Sequence, residues 1–301
     1  MKKYLIVLLA LVLFAFSSCQ KIAGDLISKD FNIDGSYTTL KVQDAFEVVV
    51  DDSATQVTVT VGENIMPKVV VGIVDHTLKI RLKGFNHSSY GTDMKVILPY
   101  NADLRIIELS GASKFRSEYG LVCQKSIVEL SGASDFYCDL LANEIDIRIS
   151  GASEFHGEIQ ADEVNIDLSG SSNLYGIVVA DDLNMNLSES SDIDCDVESD
   201  ELNLEMSGAS DATLVGYVTQ LKMTLSGSSN IVQQVVGDEY ALRCDHCEGT
   251  MTGSSKAYIH CDGRICVDLS DASDLHYTGD GISSGCSTIS GGSSIIGPEH
   301  P

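Results

Sequence analysis

A six-residue pattern, Ser-Gly-Ala-Ser followed by a polar and then an apolar residue, returns along this chain at a fixed interval. It reads Ser131-Gly132-Ala133-Ser134-Asp135-Phe136 and Ser150-Gly151-Ala152-Ser153-Glu154-Phe155, with further copies starting at Ser169, Ser188, Ser207 and Ser226. Each of these starts follows the previous one by 19 residues. A full copy also begins at Ser110, and weaker copies begin at Thr252, Ser270 and Ser290, making ten in all. A constant period of this length is the mark of a repeat architecture and removes most folds from consideration.

Between the copies the hydrophobic pattern has period two. Phe155, Gly157, Ile159 and Ala161 alternate with Glu154, His156, Glu158 and Gln160; after Asp162-Glu163, the residues Val164, Ile166 and Leu168 alternate with Asn165 and Asp167. Such alternation predicts strands with one buried face. The two residues at Asp162-Glu163 carry the same face around a bend, and the Ser-Gly-Ala-Ser segment makes a second change of direction. One repeat then circles once and returns above its start, stacked at the strand spacing of about 4.8 Å. Ten corners predict a rod roughly 50 Å long. The interior should hold columns of like side chains. One is Ile149, Leu168, Leu187, Met206 and Leu225; another is Phe115, Phe136, Phe155, Leu174, Ile193, Ala212 and Ile231. No stretch shows the 3.6-residue period of a helical solenoid, and a flat antiparallel meander would not favour a constant nineteen.

The corner glycine suggests a positive φ, but Glu189 and Asp271 occupy the same place in two copies. Glycine is therefore expected to be preferred there, not required. The small third residue, Ala or Ser, is expected to let neighbouring corners approach closely.

The chain opens with Met1-Lys2-Lys3, an apolar run from Tyr4 to Phe16, and Ser17-Ser18-Cys19. This predicts a lipoprotein signal peptide over residues 1–18, cleavage before Cys19 and diacylglyceryl modification of its thiol. Residues 19–29 would be the lipidated Cys and a tether. Residues 30–109 lack the corner motif but stay strand-like, at Phe46 to Val50, Gln56 to Val61, Lys68 to Val74, Thr77 to Leu82 and Met94 to Leu98. They are expected to form a β-rich N-terminal cap and the first irregular rungs, since an uncovered solenoid end invites aggregation. Residues 110–297 would be the repetitive β-helix, and the loop from Gly84 to Asp93 should be exposed. The step from Ser226 to Thr252 is 26 residues, and the insertion is expected near Asp245 to Met251.

With 19 Lys and Arg against 44 Asp and Glu, the formal net charge is −25. Such a surface repels phosphate backbones and argues against nucleic acid as a partner. The expected contacts are the membrane, through the lipid anchor, and a glycan or protein ligand. No cofactor is expected.

Eight cysteines remain beyond Cys19. Cys244-Asp245-His246-Cys247, with Cys261 and Cys266, has the look of a zinc cluster. Against this, Cys244 is read in the inward column after Leu225, and Cys138 and Cys195 are also inward. Core or disulfide roles are therefore favoured, with pairing open, and no metal site is assigned. No metalloprotease helix, P-loop or dinucleotide fingerprint is present. The residue after each corner forms an outward row of Asp135, Glu154, Asn173, Asp192, Asp211 and Asn230. This row is the candidate ligand-binding set, for sugar hydroxyls or Ca²⁺; its plainer reading is a solvated polar face. His156, His246, His260 and His276 are scattered and suggest no site.

Tandem Ser-Gly-Ala/Ser-Ser corners preceded by a β-rich stretch resemble the auto-transporter adhesin "head GIN" family of Bacteroidetes, a domain of unknown function. The opening part matches at Phe46-Glu47-Val48-Val49-Val50, Leu78-Lys79-Ile80 and Met94 to Pro99, and the closing strand at Leu275-His276-Tyr277-Thr278-Gly279. The resemblance implies an all-β, right-handed parallel β-helix with rungs of about 19 residues and an envelope location. It brings no catalytic residues. The expected function is an adhesion-like binding module lipid-anchored at the outer membrane, on the cell surface or the periplasmic face. The alternatives are a polysaccharide lyase or hydrolase, for which only the insertion breaks the repeat, and a structural envelope spacer.

Overall fold

The computed structural model describes residues 24–84, 93–236, 239–283 and 285–298. The expected signal peptide, lipidation at Cys19 and most of the loop between Gly84 and Asp93 lie outside them. No helix among the described residues is long and apolar enough to cross a membrane.

The chain winds into a parallel β-helix. In one early rung Asp135–Tyr137, Leu140–Leu141 and Glu144–Ile149 are three separate strands, each stacked in parallel on its counterpart one repeat later. In the next four rungs the three run together as Glu154–Leu168, Asn173–Leu187, Asp192–Met206 and Asp211–Leu225, paired residue for residue at an offset of 19. Three strands per rung mean three changes of direction, one more than the alternation suggested. The extra one falls near Gly157 and Gly176. A Cβ on Gly157 would lie 2.2 Å from the Cys138 carbonyl oxygen, and one on Gly176 would lie 1.9 Å from that of Gly157. Gly157 thus marks a close backbone approach as well as an inward position.

Both expected columns are buried along their length. Phe115, Phe136 and Phe155 stack with ring centroids 5.4 and 4.9 Å apart, and burying each large apolar side chain contributes roughly 1.5–3 kcal/mol. The column through Leu225 continues at Met251, and Cys244 instead follows Val218. The reason is the place of the insertion. Ile231 still stacks on Ala212, but Leu242 stacks on Gly216, so the extra residues lie between them. They form a small antiparallel hairpin of Val235–Val236 and Glu239–Tyr240. Asp245 to Met251 belongs to the regular strand Leu242–Met251. The expected insertion site is corrected accordingly: the corner at Thr252 marked a completed shift, not its origin.

Every corner residue in the second position is left-handed. Gly111, Gly132, Gly151, Gly170, Gly208, Gly227, Gly253 and Gly291 have φ between 70° and 82°, and Glu189 and Asp271 both have φ of 66°. The conformation is therefore required even where glycine is absent. It is this glycine, not the exposed third residue, that permits the close approach: a Cβ on Gly151 would lie 2.5 Å from the Gly132 carbonyl oxygen. The fourth residue of the motif points inward. Ser113, Ser134, Ser153, Ser172, Ser191, Ser210, Ser229, Ser255 and Ser273 have no exposed surface. Their hydroxyls close the corner, as where Ser172 and Ser191 donate to the carbonyls of Ser169 and Ser188 at 2.9 Å. A buried hydroxyl without a partner would be costly; this local bond supplies one at most turns, and the Ser153 hydroxyl instead accepts the Ser134 backbone N–H at 3.1 Å.

The N-terminal region supplies earlier rungs and a cover. Thr39–Val42 and Phe46–Asp51 stack beneath Ile106–Leu109 and Lys114–Arg116. Thr77–Leu82 and Met94–Pro99 stack beneath those in turn. Asp44, with φ of 76°, sits below Gly111 as an eleventh corner that no Ser-Gly motif announced. Val69–Val74 then pairs antiparallel with Thr77–Leu82, Val57–Gly62 with Met94–Pro99, and Leu26–Phe31 with Val57–Gly62. Antiparallel strands thus cover the end. Residues 26–29, expected in the tether, already belong to this cover; Thr58 donates to Asp30 at 2.7 Å and Ser28 bonds Thr60 at 2.8 Å.

Candidate functional site

Because equivalent residues stack, outward side chains form straight rows along the rod, and the question is which rows still have hydrogen-bonding groups to offer. The row Asp146, Asn165, Asn184 and Asn203 has few. Asn165 Nδ2 donates to Asp146 at 3.2 Å, Asn184 to Asn165 at 3.0 Å, and Asn203 to Asn184 at 3.0 Å. Lys125 pairs with Asp146 at 2.9 Å, and Lys222 pairs with Glu201, beside Asn203, at 2.7 Å. This is a self-satisfied ladder.

The row after the corners is different. Asp135, Glu154, Asn173, Asp192, Asp211 and Asn230 stand in register, as expected, with Lys114 below Asp135. Its ends are engaged: Lys114 forms an ion pair with Asp135, and Asn230 Nδ2 donates to Asp211 at 2.8 Å. His156 Nε2 is 3.4 Å from Glu154. In the middle, among the described residues, the Asp192 carboxylate accepts only the Asp211 backbone N–H, at 3.3 Å. Burial raises the Asp192 pKa above the usual carboxylate range, and the charge of Asp211 adds to the shift.

Beside this row runs an aromatic stack. The Arg116 guanidinium lies 3.9 Å from the centroid of Tyr137. Tyr137 stacks on His156 at 4.7 Å and 2°, and His156 on Tyr175 at 4.8 Å and 15°. The rings cover one another's faces and present their edges to solvent. Burial raises the Tyr175 pKa, helped by the charges of Glu154, Asp192 and Asp194, so its hydroxyl remains a donor. The face therefore offers carboxylates, an amide and phenol hydroxyls next to apolar ring edges, repeated at the strand spacing. That chemistry suits a polyol, whose hydroxyls both donate and accept.

The spacing of this stack is visible in the sequence, since Tyr137, His156 and Tyr175 are 19 residues apart. His156 is thus not isolated, and His276 likewise stacks on Tyr258 at 4.7 Å. His260 is buried, 3.0 Å from Thr278 and 3.1 Å from Asp262. His246 accepts the Arg264 backbone N–H at 3.3 Å.

The cysteines do not assemble a zinc site among the described residues. Cys266 is bonded to Cys286 in the next rung, and no group of three His, Cys, Asp or Glu is placed to hold a metal ion. Cys138, Cys195, Cys244, Cys247 and Cys261 are buried free thiols. Burial pushes Cys138 and Cys195 up to about 12. Cys244 is raised by hydrogen bonding to Cys247, and Cys261 by hydrogen bonding to Cys244, with burial adding to both.

The family model for the putative auto-transporter adhesin, head GIN domain, matches residues 36–177 and again residues 176–281. Among solved structures, a putative adhesin from Parabacteroides distasonis is 18% identical, with a TM-score of 0.48 over 92% of this chain and 96% of its own. A putative adhesin from Parabacteroides merdae is 16% identical, with a TM-score of 0.46 over 92% of this chain and 97% of its own. A protein described as a putative lipid binding protein, also from P. distasonis, is 18% identical, with a TM-score of 0.40 over 92% and 98%. A search among curated proteins finds no match.

Proposed function

Because the chain belongs to the putative auto-transporter adhesin, head GIN domain family, we propose that it is an envelope lipoprotein acting as an adhesion-like binding module. In this reading the lipid on Cys19 holds it at the outer membrane, and the corner-side face binds a glycan. The single observation that carries the binding face is the contrast between its two long polar rows. One spends its amides on itself, whereas the row through Asn173 and Asp192 keeps groups free beside the Tyr137, His156 and Tyr175 edges. A straight row repeating at about 4.8 Å favours an extended ligand read by many weak contacts. The Cys266–Cys286 disulfide supports export, since disulfides persist in oxidising compartments.

The test compares the chain carrying Asn173→Ala, Asp192→Ala and Tyr175→Ala with one carrying Asn184→Ala and Asn203→Ala on the other row. Both are applied to immobilised polysaccharides. Loss of retention only in the first supports this face, and equal retention removes it. Membrane fractionation of cells producing Cys19→Ser tests the anchor: release from the membrane fraction is expected, and unchanged association contradicts it.

A further inference from the structure

Four strand ends meet at one side of the N-terminal cover. Leu26–Phe31, Phe46–Asp51 and Met94–Pro99 finish there, and Val57–Gly62 begins. The segments that leave them enclose a cleft of about 250 Å³. Its walls are tied to one another. The Tyr100 N–H donates to the Asp51 carbonyl at 3.3 Å, and Asn101 Nδ2 donates to the Tyr37 carbonyl at 2.8 Å. Asp51 also holds its own turn, its carboxylate accepting the Ser53 N–H at 2.8 Å and the Ser53 hydroxyl at 2.6 Å. The cleft is therefore preformed, which spares a ligand the cost of ordering loops as it binds.

The lining is uncharged. It presents the amides of Asn32, Gln56 and Asn101, the Thr55 hydroxyl and the rings of Tyr37 and Tyr100, with no Asp, Glu, Lys, Arg or His. Three clefts further along the rod differ: one includes Asp167 and Glu205, another Asp162 and Asp181, the third Glu205 and Glu248. A neutral concavity stands apart in a chain whose formal net charge is −25. Asp34, next to the lining residue Ile33 in the chain, is off the wall and accepts from Asn32 Nδ2 at 3.3 Å.

This lining excludes two kinds of ligand. An ion would give up hydration and gain no counter-charge. A wholly apolar molecule would leave the amides without partners. Amides and hydroxyls both donate and accept, so they match a ligand that does the same. The Gln56 amide is exposed and, among the described residues, has no hydrogen-bond partner. Tyr100 supplies an apolar surface: it is 45% exposed, and its ring leans on that of Tyr119 with centroids 5.4 Å apart at 58°. Tyr119 is itself fixed by a hydrogen bond to Asp52. An uncharged ring with hydroxyls at its rim and C–H bonds on its faces meets all of these demands.

We propose that this cleft binds one ring of a neutral saccharide, at a site separate from the corner-side face and independent of it. Pockets for drug-sized ligands run to about 300–1,000 Å³, so 250 Å³ suits a single ring or the end of a chain. Tyr100 covers C–H bonds of the ring, and Gln56 and Asn32 read its hydroxyls. Binding of one ring is weak, with a Kd on the order of 1–10 mM.

The test follows amide chemical shifts of the ¹⁵N-labelled full chain carrying Cys19→Ser while glucose, galactose or mannose is added. At least one should give saturating shifts at Tyr37, Gln56 and Asn101. Gln56→Ala should weaken binding about fivefold, and Tyr100→Ala about tenfold, each with an unchanged circular dichroism spectrum. Glucuronate and glucosamine, which add a charge to the same kind of ring, should bind about tenfold more weakly. The chain carrying Asn173→Ala, Asp192→Ala and Tyr175→Ala should bind the neutral sugar as the native chain does, so failure of the corner-side face leaves this site standing. No saturating shift with any of the three neutral sugars, shifts that survive both cleft substitutions, an equal response to the charged rings, or loss of binding in the corner-side variant would overturn the proposal.

Discussion

Replacing Gly151 by Ala tests the stacking of the corners at a single methyl group. Gly151 has φ of 78°, and the added Cβ would sit 2.5 Å from the Gly132 oxygen and 3.0 Å from its nitrogen. Left-handed geometry costs an L-residue roughly 1–2 kcal/mol. The contact is with backbone, so it is relieved only by moving the rungs apart. That stretches the bond from the Ala152 N–H to the Gly132 oxygen, now 2.7 Å, which is worth about 1 kcal/mol. Together these give a loss of about 2–3 kcal/mol. The chain contains its own converse. At Glu189 the corresponding bond, from the Ser190 N–H to the Gly170 oxygen, is 2.9 Å, so Glu189→Gly should stabilise by about 1 kcal/mol. Urea unfolding followed by circular dichroism reads both variants, and amide exchange at Ala152 and Ser190 reads the corners directly. Unchanged midpoints for Gly151→Ala, or destabilisation by Glu189→Gly, would refute the idea that corner stacking favours a bare left-handed residue.

Three further outcomes follow from the interior and the polar row. Phe136→Ala, in the middle of the buried aromatic column, should destabilise by about 3–5 kcal/mol in the same unfolding assay. The raised Asp192 pKa means that folding favours its protonated form. Its ionisation therefore weakens the fold as pH rises through that value, and the penalty is absent below the ordinary Asp pKa of about 3.9. Asp192→Asn should accordingly be more stable than the native chain at pH 7 and equal to it near pH 3. Cys138 and Cys195, with pKa values of about 12, would be ionised to about one part in 10,000 at pH 8. Mass spectrometry after brief alkylation should find both unmodified in the folded chain and both modified in urea.

The regular part of the fold could be read from the chain because a strict period repeats every local choice. The inward columns, the outward row and the stack of rungs all follow from nineteen-residue spacing and period-two alternation. Reading failed where one residue type serves two purposes. Gly157 was legible as an inward position, but its role as a backbone crossing depends on the Cys138 oxygen in the previous rung. The Asp44 corner carries no Ser-Gly signature, and only its position beneath Gly111 reveals it. The insertion was misplaced because the motif marks where a rung closes, not where the extra residues leave the stack. For the candidate site, the spacing announced the row from Asp135 to Asn230. Which row keeps free groups depends on side-chain geometry: the Asn165, Asn184 and Asn203 amides bond one another, whereas Asn173 stands between two carboxylates. The Tyr137, His156 and Tyr175 stack lies in the same spacing, but it joins two residue types, so histidines taken by themselves look scattered.

The most direct test of the binding reading is to pass the purified chain over a panel of immobilised host and bacterial polysaccharides, scoring retention and soluble products together. The account predicts retention on at least one glycan with no product released. Product release would contradict it by making the protein an enzyme, and absence of retention across the panel would remove glycan binding as the function of this face.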